Sequence, residues 1–180
     1  MKHPIFQQKL LQYSYFFFLS SFIGFVWEVI FTLIRQGTLC NRGFFYGPWL
    51  PIYGIGGVLF YRLLHPIRKH YILCFFLSVL IGTSIELAIG LFVNRVYHLR
   101  YWNYSDEPYN YLGQICLYSS LGFGAAGLLW VCFISRYALY WWQKLPLKKQ
   151  KALLFLLLLL FLTDCILAVY SPNTGRGITY

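Results

Sequence analysis

The sequence predicts an all-α, polytopic membrane helix bundle with about five transmembrane helices. Three observations point there. Apolar residues make up 59% of the 180 and charged residues only 11%, too little polar surface for a soluble domain. Four apolar runs, at 13–34, 71–94, 113–135 and 152–170, approach the roughly 20 residues that cross a hydrocarbon core. The basic residues behind the net charge of +10 gather at the ends of those runs and form no stripe of their own. They read as topology signals, and no nucleic-acid partner is expected.

The first span follows Lys2 and Lys9. No small-residue cleavage site comes after it, and Trp27 and Glu28 interrupt where one would stand, so a retained span is expected. The second, 49–64, is short and opens "GPWLPIYGIGG". Pro48 and Pro51 cannot donate backbone hydrogen bonds and the glycines favour bends. This span is expected to be short or partly unwound at its start, where protein or a wet cavity must cover the open backbone. The run "LLFLLLLLFL" is an ordinary apolar span, and the chain 1–180 reads as a single membrane domain. The five cysteines (Cys40, Cys74, Cys116, Cys132, Cys165) are odd in number and show no CxxC spacing, so neither a metal site nor a disulfide framework is expected. A Cys40–Cys116 bridge is conceivable from the span ends, and apolar filling is the plainer reading.

Five spans place the termini on opposite sides. Ten Lys and Arg fall in the N-terminus, the 61–70 turn and the 136–151 connection, against five in the 35–47 loop, the 95–113 loop and the tail. The positive-inside rule then makes the N-terminus cytoplasmic and the C-terminus external. Trp141 and Trp142, beside the basic connection, fit an interfacial anchor.

Of five acids, Glu28, Glu86 and Asp164 fall inside spans, where a carboxylate costs several kcal/mol and needs a partner, a wet cavity or a proton. At 1.5 Å per residue they lie about 9, 12 and 9 Å below the outer helix ends. Ser20, Gly24, Glu28 and Thr32 recur every four residues in the first span, and Ser78, Gly82, Glu86, Gly90 and Asn94 in the third. Such spacing puts each set on one face, and small residues there let helices approach closely. Cys116, Ser120 and Gly124 continue the pattern in the fourth span. The acids are therefore expected to point into the bundle. One reading is an outward polar cavity lined by Glu28, Glu86, Asp164 and Asn94. The plainer one is that Arg42, Arg62, Arg95 or Arg100 neutralises the acids and the set fixes packing.

The stretch "YWNYSDEPYN" (101–110) lies between two spans. Tyr101, Trp102 and Tyr104 are expected at headgroup level, where amphipathic rings are favoured. Ser105, Asp106, Glu107 and Pro108 read as turn chemistry, with Asn110 and Gly113 starting the next helix. Together with Arg100 and Asn110, the acids make this loop a candidate roof over the cavity. Its acids should then lie near Arg42 of the other outer loop.

These loops carry a resemblance. "NRGFFYGPWLPIYG" and "RYWNYSDEPYNYLGQICL" look like the two signature segments of the bacterial type IV, CmpB-like ABC transporter permease family. "FIGFVWEVIF" and "IELAIG" resemble its first-span and acid-bearing third-span segments. The resemblance runs from about Phe16 to about Gly127. It marks Glu28, Asn41, Arg42, Gly43, Gly47, Pro48, Pro51, Tyr53, Gly54, Glu86, Trp102, Tyr104, Ser105, Asn110, Gly113 and Cys116 as motif positions. Asn94 and Asn103 stand where acids are expected in many relatives. What the resemblance implies is a multi-pass bacterial plasma-membrane transport component.

No GxxxxGK[ST] loop occurs, so this chain cannot itself be the ATPase, and the permease reading calls for a separate ATPase subunit. No cofactor or metal is expected. The first functional expectation is a transport subunit using the acidic cavity for a cation, a cationic solute or proton coupling. The alternatives are an accessory or assembly protein without substrate, its small-residue faces serving helix partners or a second copy, and an intramembrane enzyme acting on a lipid or isoprenoid through Glu86 or Glu28. The topology is testable on a cysteine-free background. An impermeant thiol reagent applied from outside should modify Asp106→Cys and Gly175→Cys but not Pro146→Cys. Labelling at position 146 would invert the assignment.

Overall fold

The computed structural model describes residues 3–41 and 43–173. Its helices are α1 (His3–Gln36), α2 (Pro51–Leu64), α3 (Tyr71–Tyr97), α4 (Leu117–Lys144) and α5 (Leu147–Tyr170). Four of them, all but α2, are long and apolar enough to cross a membrane. No named strand occurs among the described residues, and the architecture is the helical membrane bundle that the sequence predicts. The exposed leucines of α5 fit a lipid-facing surface.

The small-residue spacing does what it predicts. On α3 the buried positions are Cys74, Ser78, Gly82, Glu86 and Gly90, one every four residues. They meet the buried Ser120, Gly124 and Gly127 side of α4. A Cβ at Gly127 would overlap Ser78, and one at Gly82 would overlap the Phe123 ring. The same device joins α1 to α2: Gly57 lies on Ser20, Gly54 on Ser21 and Phe17, and Gly24 on the ring of Tyr53. Positions on α2 rise as those on α1 fall, so the two helices are antiparallel.

The bundle has two chemically distinct ends. Tyr13 and Phe16 of α1 pack on Tyr61 of α2, and Tyr15 stacks on Trp142 at 4.3 Å. This is the basic end, with the 65–70 turn and the 136–151 connection. At the other, the loop end, Phe44 packs on Tyr97 and Tyr101, and Asn173 N–H donates to the Phe44 carbonyl at 3.1 Å. Inside α4, Trp130–Ile134 forms a π-helical turn, and Trp130 Nε1 donates to the Gly57 carbonyl at 2.8 Å.

The expected second pass is built in two pieces. Residues 43–50 are irregular and α2 starts only at Pro51, two residues inside the expected 49–64 span. α2 has 14 residues, about 21 Å at 1.5 Å per residue, and its start lies beside Gly24, part-way down α1. Leu50 N–H donates to the Ser21 carbonyl at 3.2 Å. The irregular piece therefore runs down from the loop end before the helix takes over.

Asp164 holds that piece. Its carboxylate accepts from Tyr46 N–H at 3.0 Å, Gly47 N–H at 2.8 Å and Trp49 Nε1 at 2.6 Å. Side-chain amides complete the frame. Asn41 Nδ2 donates to the Phe45 and Tyr46 carbonyls, and Asn173 Nδ2 to those of Asn41 and Gly43. Replacing Asp164, which is 6% exposed, by Ala leaves three N–H groups without their acceptor. Hydrogen bonds to charged groups contribute about 1.5–3 kcal/mol, and three that share one carboxylate do not add in full. Asp164→Ala should lower the unfolding free energy in detergent by about 3 kcal/mol and open 43–50 to proteolysis. An unchanged melting temperature and cleavage pattern would show that the loop holds without its carboxylate.

Candidate functional site

The remaining two membrane-depth acids take hydroxyl partners. Glu28 is half-buried on α1, and Tyr53, on the first turn of α2, donates its O–H to Glu28 Oε1 at 2.6 Å. Gly24 makes this possible: it lies one turn before Glu28, and the Tyr53 ring occupies the space a side chain would take. Glu86, 5% exposed on α3, accepts from Tyr104 Oη at 3.1 Å on Oε1 and from Ser119 Oγ at 3.0 Å on Oε2. Ser119 is also the third residue of a capping box at the start of α4. Its N–H donates to Cys116 Sγ, and its Oγ accepts from Cys116 N–H.

Tyr104 links the two acids. Burial first, then the Glu86 carboxylate and more weakly that of Glu28, push its phenol above the ordinary tyrosine range. Both acids thus act electrostatically on one hydroxyl. Among the described residues the partners of Glu28, Glu86 and Asp164 are hydroxyl and N–H groups, and no arginine is one of them. Asp164 belongs to a separate group, since its oxygens are given to the 46–49 backbone and Trp49. Asn94 is half-buried and its backbone carbonyl accepts from His98 N–H at 3.1 Å; its side chain makes no hydrogen bond among the described residues.

The first outer-loop motif is mostly structural in these contacts. Asn41 Oδ1 accepts from Gly43 N–H at 2.9 Å. Gly47 donates to Asp164, Pro48 is exposed, and Pro51 opens α2 at its first turn. Gly54 admits Ser21 and Phe17. Arg42 lies outside the described residues, and so does its expected approach to Asp106, which is itself exposed.

The second motif differs from the expectation. Three of its aromatic rings, Tyr101, Trp102 and Tyr104, turn their polar tips inward. Tyr101, 6% exposed, donates to the Asn173 carbonyl at 2.9 Å, and Trp102 Nε1 to the Gln114 carbonyl at 2.7 Å. Tyr104 reaches Glu86, so a ring expected at the headgroups touches a buried acid. Nor do Asn110 and Gly113 start the helix. Asn110 Nδ2 donates to the Ser105 and Glu107 carbonyls and its Oδ1 accepts from Gly113 N–H, and α4 begins later, at Leu117. Gly113 has φ 64° with Ser105, Asn103 and Arg100 crowded against it, a combination only glycine tolerates without strain. Asn103 Oδ1 gathers Ser105 N–H, Ser105 Oγ and Arg100 Nη1. Gln114, 3% exposed, fills the space over Gly90.

The two loops meet at Phe44 and Tyr101, with Asn173 bonded to both. Cys40 and Cys116 are free thiols, so no bridge joins them. No cluster of three or more His, Cys, Asp or Glu side chains among the described residues could hold a metal ion. Sequence reasoning missed Ser119, Trp49 and Asn173. Only Ser119 had a signal, its position three residues after Cys116.

Fold and site together define a multi-pass helical membrane protein with acids at membrane depth. A family model described as "Putative ABC-transporter type IV" matches residues 15–169, and the chain belongs to that family. No curated protein and no solved structure matches it.

The raised Tyr104 phenol has a pH consequence. A tyrosine that holds its proton more tightly when folded than when unfolded contributes stability that is complete below its unfolded value near 10. That contribution is lost as pH rises towards the folded value. Unfolding free energy in detergent should therefore fall above about pH 10, and Tyr104→Phe should flatten that fall. An identical alkaline slope in both proteins would remove Tyr104 as its source.

Proposed function

We propose that this protein is the membrane subunit of a transporter and that Glu28 and Glu86 form its polar site, taking up a cation, a cationic solute or a proton. One observation supports this most. Two carboxyl groups at membrane depth, within electrostatic reach of one tyrosine, have only hydroxyl partners among the described residues. Hydroxyl hydrogen bonds offset part of the cost of burying the acids but supply no positive charge. A proton or a cation between them supplies it. Tyr53 and Tyr104 then act as removable donors. Each leaves its carboxyl group when a cation arrives and returns when it departs.

On this reading the chain crosses a bacterial plasma membrane five times, with 43–50 and α2 together making the second crossing. The N-terminus is cytoplasmic by the basic-residue count, and the polar site opens towards the outside below the two loops. Nucleotide hydrolysis belongs to a separate ATPase subunit.

The test is carbodiimide modification of the full chain in liposomes. A hydrophobic carbodiimide should label Glu86 or Glu28, located by mass spectrometry. Millimolar sodium, potassium or a polyamine should lower the labelling. Tyr104→Phe should increase Glu86 labelling severalfold, and Glu86→Gln should abolish that adduct. Labelling indifferent to every cation and to pH would sink the site.

A further inference from the structure

The basic end holds cations for which the described residues supply no counter-charge. All five acids lie elsewhere. Glu28 and Glu86 are in the hydroxyl-bonded pair and Asp164 holds 46–49, while Asp106 and Glu107 sit in the loop between α3 and α4. At the basic end, Arg68, Lys69 and Arg136 line one cavity of about 320 Å³ with Tyr71, Cys132 and Phe133. Arg68 spends one N–H on the His65 carbonyl at 2.9 Å. Lys69 and Arg136 are exposed and have no hydrogen-bond or ion-pair partner among the described residues.

The fold builds this cavity. The π-helical turn 130–134 brings Cys132 onto the 65–70 turn, where its thiol donates to the Arg68 carbonyl at 3.5 Å. Arg136 follows the π-turn on α4, so the same irregularity that seats Cys132 presents a second guanidinium beside Arg68. Such turns are rare and concentrate at functional sites. Both guanidiniums reach one spot: after burial, Arg68 and Arg136 are what hold the His65 imidazole below its ordinary value.

A second cavity, of about 550 Å³, shares Lys69 and Tyr71 and runs on along α3 over Ile72, Leu73 and Phe76. Those three side chains are 77%, 48% and 62% exposed. The combined surface is therefore cationic at the end of the helix and apolar along its membrane-spanning part, which matches a molecule with an anionic head and a hydrocarbon tail. Guanidinium groups bind phosphate oxygens in pairs of parallel hydrogen bonds, and basic pockets between helices suit anionic lipid headgroups.

We infer that the surface formed by Arg68, Lys69 and Arg136 with Ile72, Leu73 and Phe76 is a binding site for an anionic glycerophospholipid, its phosphate on the guanidiniums and its acyl chain along α3. It is independent of the acidic pair at the other end.

Native mass spectrometry of the full chain, with phosphatidylglycerol and phosphatidylcholine of the same acyl chains, tests this. The wild-type protein should retain one phosphatidylglycerol under conditions that strip phosphatidylcholine. Arg68→Gln with Arg136→Gln should reduce that occupancy about tenfold or more. Lys148→Gln with Lys149→Gln removes the same charge from the same end and should leave occupancy unchanged. Arg136→Gln alone alters an exposed residue and should give an intermediate loss even if the double variant folds poorly. Equal retention of both lipids, or equal loss in the lysine control, would reduce the site to general surface charge. Displacement of the lipid by equimolar inorganic phosphate would make it a soluble-anion site, and retention of neither lipid would leave the patch to an acidic protein surface. Each of these outcomes overturns the proposal.

Discussion

A backbone N–H group below the membrane surface has no water to bond and must find its acceptor within the protein. Residues 43–50, which run down into the bundle, face the same need where they are covered by protein, because Pro48 and Pro51 prevent a helix from satisfying the segment. Asp164 answers it from the last helix. One carboxylate takes the N–H groups of Tyr46 and Gly47 and the indole of Trp49. The arrangement ties α5, which otherwise packs mainly on α1, to the start of the second pass. It also sets where α2 begins. Since α2 begins beside Gly24, Tyr53 on its first turn falls opposite Glu28, so the position of one acidic contact depends on the satisfaction of another.

The helix contacts serve the same end. Gly24 and Gly90 are placed where a side chain would displace, respectively, the Tyr53 ring and the Gln114–Trp102 pair. Each glycine stands one turn from a membrane-depth glutamate. Close approach therefore lets elements from the loop end descend to the level of the acids. Tyr104 gains its reach in the same way, from a loop pinned by Asn103 and Asn110 and turned back by Gly113. Four buried hydroxyls, Ser21, Thr32, Ser78 and Thr83, have no hydrogen-bond partner among the described residues, and Ser21 and Ser78 lie against Gly54 and Gly127. Their small size is what the packing uses.

Much of the fold was legible because membrane helices announce themselves by length and composition, and because a four-residue spacing of small side chains survives any detail of packing. The inward direction of Glu86 followed from Ser78, Gly82 and Gly90 alone. The partners did not. Asp164 lies at the same estimated depth as Glu28, and depth alone cannot distinguish an acid that faces another helix from one that faces an unwound loop. The partners of the aromatic loop were not legible for a related reason. Tyr and Trp favour the interface because one end is apolar and the other polar, yet the same duality lets Tyr101, Trp102 and Tyr104 bury their rings and bond a carbonyl or carboxyl inside. Positive φ at Tyr109, Leu112 and Gly113 keeps the backbone out of the helix until Cys116, and nothing in the residue types of Tyr109 or Leu112 signals it.

The distribution of charge gives the two ends different chemistry. Glu28, Glu86 and Asp164 lie towards the loop end and, among the described residues, take only neutral donors. Among the described residues, the cations of the basic end have no acid near them. Neutral donors stabilise a buried carboxylate through their dipoles but leave its charge in place, so the acidic pair still attracts a positive species. Exposed guanidinium and ammonium groups are likewise solvated without being neutralised, and they attract anions within roughly a Debye length of about 8 Å at physiological salt. A chain that paired its own charges internally would present neither attraction. Leaving the cations of the basic end without acids forgoes ion pairs there, though an exposed pair contributes only up to about 1 kcal/mol. The loss is small, and it leaves charge uncompensated both at the acidic pair and at the basic end.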